Sequence, residues 1–288
     1  MKDSMYPKEK RRSSLRMQNL HLPSHILLII WSFIALFPIW ILFVNSFKTR
    51  FTIYDNPFWL PAKWNVGNYT AVLGNNDFLG YFKNSFMAVS SSIVLVLLLG
   101  SLAAYALAHW RSRASTAIYY TLIAGMMLPI RIASIRLLEL VKAMGLLNTI
   151  GSLIPVYTAM GIPIAIFVLT EFVRQVPGEL TEAGLIDGAG RFHIFIRIML
   201  PLLRPAMATV AIYNLIPFWN DLWFPLIFIN KENAKTLLLG VTRLFGQYQT
   251  DWSKVLAVLA LSALPVITLY VLLSKQFIKG MTAGAVKG

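Results

Sequence analysis

The polar residues that could do chemistry gather in one loop between two long apolar segments. Residues Glu179–Ile186 predict a short helix whose acidic side chains stand early, where the helix dipole favours negative charge. Gly188 follows and supplies a turn that a residue with a β-carbon would resist. A second helix is predicted from about Arg191 toward Leu200. A small helix–turn–helix with an exposed end can press into a cleft on a partner protein, so the loop predicts mechanical docking.

Catalytic and metal-binding side chains show no arrangement that would support a reaction. The chain has no cysteine, which excludes disulfides and thiol chemistry, and its four histidines are scattered and make no metal-ligand set. The Walker A sequence G-x-x-x-x-G-K-[ST] is absent, and the apolar segments hold no set of nucleophiles or paired acids. We therefore predict a protein that is not an enzyme, holds no metal and no cofactor, and receives its energy from another chain.

The apolar content of the chain indicates a membrane protein. Hydrophobic residues make up 57% of the sequence and charged residues 13%, with a mean hydropathy of +0.64. Soluble domains carry about 25% charged residues. The apolar residues gather into six runs of about twenty, the length that crosses a hydrocarbon core as a helix. The predicted spans are 25–46, 84–108, 116–135, 150–173, 204–229 and 254–274. The predicted fold class is all-α, a polytopic membrane helical bundle.

The basic residues indicate how these spans are oriented. The formal net charge is +14, which could suggest nucleic acid, but the lysines and arginines follow the span pattern instead. The larger share of them lies before the first span and after the second, fourth and sixth, and short basic loops stay in the cytoplasm. We predict that both termini are cytoplasmic and that the chain binds no nucleic acid. The first span is too long for a removable signal peptide and is interpreted as a signal anchor.

Four further patterns predict local structure. Residues 47–83 predict an ordered outer cap without one continuous helix, because two prolines interrupt it. The second span is rich in small residues, which predicts close helix packing. Residues 131–142 predict an amphipathic helix along the outer surface, with Arg136 and Glu139 close enough to pair. Glycines and prolines within 151–163 predict a break in the fourth span.

The polar loop resembles the EAA loop of bacterial ABC importer permeases, whose pattern is EAA, three residues, G, nine residues, I-x-LP. The stretch Glu182–Ala189 is followed at the family's spacing by Ile198, Leu200 and Pro201, and Gly184 stands where the family usually has a second alanine. In the family this loop grips a separate ATPase. The resemblance therefore implies that the ATPase-coupling residues are Glu182, Ala183, Gly184, Asp187, Gly188, Ala189, Ile198, Leu200 and Pro201.

Other motifs are similar to those of the carbohydrate importer permeases of the maltose type, and the similarity extends over nearly the whole chain. The matching segments are Phe82–Ser85, Ala103–Ala108, Gly145–Thr149, Phe218–Asp221, Pro225–Leu226 and the C-terminal run Gly280–Gly288. The C-terminal run resembles the tail of the second permease subunit in these systems. The resemblance implies an ABC importer type I permease fold.

The same resemblance divides the chain into three parts. A basic cytoplasmic N-terminal tail covers 1–24, a transmembrane permease domain covers 25–274 with the coupling loop at 177–203, and a cytoplasmic tail covers 275–288. Residues 1–24 are polar and basic and lack strong periodicity, so we expect a mobile segment that is attracted to anionic lipid.

The family implies an assembly of several chains in the bacterial cytoplasmic membrane. A sister permease subunit would complete a heterodimer, two ABC ATPase subunits would dock on the cytoplasmic side, and an extracytoplasmic sugar-binding protein would deliver the substrate. ATP closes the ATPase pair, the coupling loops move, and the membrane cavity switches from inward-facing to outward-facing. The chain would form half of the path for a sugar, with a di- or oligosaccharide favoured.

Four residues of the fifth span are candidates for the substrate path. Polar groups at membrane depth face a cavity or a partner helix, and tryptophan can stack on a sugar ring. A packing role, an interfacial belt, or substrate binding by the sister subunit would account for the same residues. An importer permease for a peptide, an amino acid or an organic anion is the alternative function, which the EAA loop alone does not exclude. The candidates are Asn214, Trp219, Asn220 and Asp221.

Overall fold

The computed structural model describes residues 9–74, 76–110, 112–244 and 250–285, and every regular element within these ranges is a helix. The all-α prediction is confirmed. The α-helices are α1 (Glu9–Ser46), α2 (Arg50–Asp55), α3 (Gly67–Leu73), α4 (Asn76–His109), α5 (Arg113–Gly125), α6 (Ser134–Ala143), α7 (Leu153–Gln175), α8 (Gly178–Ile186), α9 (Arg191–Ile194), α10 (Leu200–Leu202), α11 (Arg204–Trp219), α12 (Trp223–Phe228), α13 (Leu237–Val241) and α14 (Trp252–Ala285). Short 3-10 segments lie at Ile130–Ala133, Ile150–Ser152, Glu232–Ala234 and Thr242–Leu244, and a π segment lies at Phe195–Met199.

Helices long and apolar enough to cross a membrane occur at the predicted places. Within the described ranges four are unbroken: Leu22–Ser46, Asp77–His109, Ile150–Gln175 and Trp252–Lys275. Two apolar helix pairs are bent, Arg113–Gly125 with Ile130–Ala143 by 85° and Arg191–Leu202 with Arg204–Trp219 by 71°. Four of the six predicted spans correspond to these unbroken helices, the third overlaps the first bent pair, and the fifth overlaps only the Arg204–Trp219 helix of the second pair.

The chain divides into two compact units. One contains the residues up to Tyr69 together with Asp251–Ala260, and the other contains Thr70–Thr250 together with the residues from Leu261 onward. In the first unit, helix α1 begins at Glu9, inside the segment that was expected to be a mobile tail. Lysine, arginine, leucine and methionine are strong helix formers, and extending an existing helix needs no new nucleus. The rest of the predicted tails, residues 1–8 and 286–288, lies outside the described residues.

The segment that the sequence predicts to be an outer cap is ordered around a buried lysine of the first unit. Nζ of Lys48 donates to Oδ1 of Asn45 at 2.9 Å and to the carbonyl of Asn56 at 2.5 Å, and burial lowers the pKa of this lysine. Nδ2 of Asn68 donates to the carbonyls of Ser46 and Lys48, both at 2.8 Å. A buried ammonium is stable only with such partners, so the polar side chains of the cap define its conformation.

Helices α4 and α7 form the central pair of the second unit, and small residues let them approach closely. A β-carbon placed on Gly100 would lie 2.6 Å from the β-carbon of Ala165. Ala88, Ser92 and Ala104 of α4 are completely buried. The close packing predicted from the small residues of the second span is confirmed.

Helix α7 runs from Leu153 to Gln175 with Pro163 inside it, so within 151–163 the helix is interrupted only at the 3-10 turn that precedes it. Pro155 is the third residue of α7, where a backbone amide has no intrahelical partner to lose. Gly161 is a point of close packing between helices. A β-carbon there would lie 2.6 Å from Cγ2 of Val96 and 2.9 Å from Oδ1 of Asn214, so α4, α7 and α11 meet at this glycine.

The predicted third and fifth spans are interrupted. The third, 116–135, ends as α5 at Gly125, and α6 is the amphipathic helix predicted after it. Nη1 of Arg136 lies 2.8 Å from Oε2 of Glu139, which confirms the predicted ion pair. The fifth, 204–229, is two helices, because three residues separate the end of α11 from the start of α12.

Candidate functional site

A Schellman motif closes α8 at Gly188. The φ of Gly188 is +80°, in the left-handed region that costs an L-residue roughly 1–2 kcal/mol. The amide of Gly188 donates to the carbonyl of Leu185 at 3.0 Å, and the amide of Ala189 donates to the carbonyl of Gly184 at 2.9 Å. The predicted glycine turn is confirmed. Gly190 differs, because its φ is −68° and it is the extended residue before α9.

Gly184 marks the place where the two helices of the loop touch. Gly184 is buried, and a β-carbon there would lie 3.1 Å from Cγ1 of Ile194 and 3.3 Å from Cδ1 of Ile198. An alanine would therefore need both isoleucine side chains to move by a few tenths of an ångström. The two large side chains opposite account for glycine at the position where the EAA pattern usually has alanine.

The second helix of the loop has a buried base. A π segment, Phe195–Met199, lies at this base, and its first and last residues are buried. Phe192, at the other end of this helix, is 68% exposed. The apolar cluster at the base consists of Ala108 of α4, Val173 of α7, and Phe195, Met199 and Leu203. This cluster fastens the loop to the ends of two membrane-length helices.

The outer face of the loop is exposed and apolar at its tip. Ile186 is 86% exposed, and Phe192 lies exposed on the second helix. The exposed members of the predicted coupling set are Glu182, Ala183, Asp187, Gly188 and Pro201, and the half-buried ones are Ala189, Ile198 and Leu200. Large apolar side chains exposed beside polar ones are typical of a surface that binds another protein.

The structure uses two of the predicted path residues in packing. Asn214 is buried, and its Nδ2 donates to the carbonyl one turn earlier in α11 at 2.8 Å. Trp219 is also buried: its Nε1 donates to the carbonyl of Ser262 at 3.0 Å, and its ring meets that of Phe82 edge-on at 5.7 Å. Asn220 is exposed just after α11.

Trp219 lines a cavity of 240 Å³ whose other lining residues come from α4, α11 and α14. These side chains are apolar apart from Ser90. A sugar needs several convergent hydrogen-bond partners, because its hydroxyl groups lose their water when they bind. The chemistry of this cavity therefore does not suit a sugar.

Asp221 stabilises the break between α11 and α12 through hydrogen bonds to its carboxylate. Its carboxylate accepts hydrogen bonds from the amides of Trp223 at 3.1 Å and Phe224 at 3.3 Å, and from the hydroxyl of Tyr157 at 2.9 Å. The ring of Tyr157 stacks on that of Phe218, with the centroids 4.8 Å apart and the planes 10° apart. Asp221 therefore caps α12 and joins it to α7, which explains why the predicted fifth span is two helices.

The sequence did not predict which residues contact the start of α12. Nε1 of Trp223 donates to Oγ of Ser134 at 2.9 Å, and the guanidinium of Arg131 lies 5.7 Å from the centre of the Trp223 ring. Alternating polar and apolar residues predicted the helix that contains Ser134, but they carry no sign of its partner. The spacing of polar residues around Tyr157 does not indicate its partner either.

Two of the family-like motifs fasten the segment between α12 and α13. Asn148 has a φ of +61°, and its Oδ1 accepts from the amide of Asn230 at 2.7 Å. Nδ2 of Asn84 donates to the carbonyls of Asn233 at 2.8 Å and Lys235 at 2.9 Å. These asparagines satisfy backbone groups of an irregular segment, so the motifs have a structural role.

Comparison with known proteins identifies the family. Residues 96–282 match the family described as binding-protein-dependent transport system inner membrane component. A putative ABC transporter permease protein of a Caldicellulosiruptor species is 39% identical over 264 residues, which cover 91% of this chain and 96% of that protein. A diacetylchitobiose uptake system permease protein of Streptomyces coelicolor is 35% identical over 264 residues, which cover 91% of this chain and 87% of that protein.

A solved structure shares the fold. One chain of a bacterial ABC transporter involved in the import of the acidic polysaccharide alginate has a TM-score of 0.77 with 20% identity, covering 96% of this chain and 100% of that chain. The likeness confirms the predicted permease fold. Since the family match spans more than half of the sequence, this chain belongs to the inner membrane components of binding-protein-dependent transport systems, the permeases of ABC importers.

Proposed function

We propose that this chain is one permease subunit of an ATP-driven importer for a sugar, with a di- or oligosaccharide as the substrate. The relative from Streptomyces coelicolor is named for uptake of diacetylchitobiose, and the solved transporter with the same fold imports a polysaccharide. The carbohydrate-type motifs around Asn84 and Asn148 support the same substrate class.

The loop between α7 and α11 is the ATPase-coupling element, and its geometry is the observation that carries the proposal. An exposed apolar tip at Ile186 is suited to dock on a partner, while the buried base packs against Ala108 of α4 and Val173 of α7. Packed interiors transmit displacement, so a movement of the tip reaches the ends of both helices. The coupling residues inferred from the EAA pattern keep that role here.

The chain works with a sister permease, two ABC ATPase subunits and an extracytoplasmic sugar-binding protein in the bacterial cytoplasmic membrane, with both termini inside. The most apolar window of Leu22–Ser46 contains no buried residue, so this helix needs lipid or an apolar helix of another chain against it. The sequence has no Walker A motif, so ATP is hydrolysed by the separate ATPase subunits.

This subunit forms half of the translocation path and leaves much of the sugar recognition to other chains. The buried hydrogen bonds of Asn214 and Trp219 support a packing role within the path wall. Asp221 serves the path indirectly, by fixing where α11 ends and α12 begins.

The test is reconstitution of the whole importer. The chain is co-produced with its sister permease, ATPase and binding protein, and ATP hydrolysis and solute uptake are measured in vesicles with panels of sugars, peptides, amino acids and organic anions. We expect hydrolysis and uptake to rise with an oligosaccharide, and this chain purified alone to hydrolyse no ATP. Uptake of a peptide, an amino acid or an organic anion but of no sugar would contradict the proposed substrate class.

A further inference from the structure

A cavity of 730 Å³ opens where the end of α4, the start of α5 and the end of α7 meet. The cavity is separate from the coupling residues and from the candidate path. Its lining contains two arginines, Arg113 and Arg174, three hydroxyl side chains and the ring of Tyr120, and it contains no acidic residue. The composition is that of a site for an anion with an apolar part.

Arg174 is held in a defined position at this cavity. Its Nη1 lies 2.7 Å from Oε1 of Glu171, and its guanidinium carbon lies 4.9 Å from the centre of the Tyr119 ring. A guanidinium has five N–H donors, so one carboxylate contact leaves donors for a second anion. Arg113 makes no ion pair with any residue that the structure describes, and the lining therefore keeps a positive charge.

The corner that carries Arg113 is fastened by its own hydroxyl groups. Oγ of Ser112 accepts from the amide of Ser115 at 3.1 Å, and Oγ of Ser115 donates to the carbonyl of Leu107 at 3.1 Å. Oγ1 of Thr116 donates to the carbonyl of Ser112 at 3.1 Å. The position of the cavity wall is thus fixed before any ligand arrives, which lowers the cost of binding.

The place of the cavity identifies the class of ligand. It lies at the ends of the membrane-length helices Asp77–His109 and Ile150–Gln175, next to the entry of the coupling loop. Nearby Trp110, Ile118 and Tyr120 are 62%, 53% and 64% exposed, which gives the cavity an apolar border. Cations beside exposed apolar side chains match a phosphate headgroup whose acyl chains continue along the helices.

We propose that this cavity binds the headgroup of an anionic phospholipid of the cytoplasmic leaflet, an inference that rests on the proposed membrane orientation. The lipid phosphate contacts Arg113 and Arg174 and so joins the start of α5 to the last turn of α7. Because Arg174 stands four residues before Gly178, where α8 begins, the bound lipid steadies the joint through which the coupling loop moves.

The test is lipid binding by the full chain within its purified importer complex, measured by native mass spectrometry. The complex is titrated with phosphatidylglycerol or with phosphatidylcholine. Arg113→Gln removes one cation of the cavity, and Arg136→Gln removes an exposed cation elsewhere, as the matched control. We expect wild type and Arg136→Gln to prefer phosphatidylglycerol equally, and Arg113→Gln to bind it about fivefold more weakly, since each basic residue near an anionic lipid contributes about that factor.

Three results would overturn the site as proposed. Equal affinity of Arg113→Gln and Arg136→Gln for phosphatidylglycerol would remove the cavity as its location. Displacement of the lipid by millimolar inorganic phosphate would make a free phosphate compound the ligand. No preference for phosphatidylglycerol in the wild-type complex would mean that the cavity does not select an anionic lipid. Sugar-stimulated ATP hydrolysis by the same preparation tests the proposed function separately, because it is read out independently of lipid binding.

Discussion

Replacement of Gly188 by alanine should weaken coupling to the ATPase and leave the helical bundle intact. At a φ of +80°, alanine costs about 1 kcal/mol relative to glycine, because its β-carbon crowds the following carbonyl oxygen. Apart from Gly188 itself and its two chain neighbours, no atom lies within 4 Å of an ideal β-carbon at this position, so backbone strain is the expected source of the effect. A difference of about 1 kcal/mol shifts the balance between the closed turn and an open one by about fivefold.

Gly190 is the matched control, two residues away in the same loop. Its φ is −68° and it has the same open surroundings, so Gly190→Ala should behave as wild type. Asparagine tolerates the left-handed region better than alanine does, and Gly188→Asn should therefore be less impaired than Gly188→Ala. Gly188→Asp adds a charge at the exposed tip and should be severely impaired in uptake.

The assay compares membrane abundance, ATPase that co-purifies with the complex, and sugar uptake for each variant. Membrane abundance should stay normal throughout, because the helices are stabilised by lipid and by packing within the bundle. Co-purification and uptake should fall in the order wild type and Gly190→Ala, then Gly188→Asn, then Gly188→Ala. Equal uptake by Gly188→Ala and Gly190→Ala, or a loss of abundance specific to Gly188→Ala, would refute the reasoning.

Three further predictions concern orientation and packing. A reporter fused at Glu232 should lie outside and one at Gly190 in the cytoplasm; Gly190 outside would end the importer proposal. Gly161→Ala should lower stability in detergent by about 1–3 kcal/mol through overpacking, with recovery when Val96→Ala is added, and an unchanged melting temperature would contradict the close contact. Asp221→Ala should lower stability by about 1–2 kcal/mol because α12 loses its cap, whereas Asp221→Asn keeps an acceptor and should lose less; equal losses would contradict the capping role.

Features with a local cause could be predicted from the sequence. The spans were located because a helix that crosses lipid needs about twenty apolar residues, whatever it packs against. The turn at Gly188 was also predictable, because glycine is the residue most often found in the left-handed conformation after a helix. The pair Arg136–Glu139 depends only on helical spacing.

Features that depend on distant residues could not be predicted. Gly161 was expected to break a helix, but Val96 and Asn214, from two other helices, make it a contact point. The predicted fifth span ends early because Asp221 caps a new helix and binds Tyr157, which is 64 residues away. A glycine in an apolar segment suits a bend and a close contact equally well, and only the neighbouring helices distinguish the two.

The coupling role proposed for the loop depends on the spacing between its two helices. The tip at Ile186 is exposed, whereas the base at Met199 is buried with residues of α4 and α7. Gly184 lies between them, and a β-carbon there would already be in tight contact with Ile194 and Ile198. Under the proposed coupling role, a push on the tip displaces the second helix as well, since the first helix has no room to approach it. The π segment would then pass that displacement to the apolar cluster and, through close packing, to the membrane-length helices.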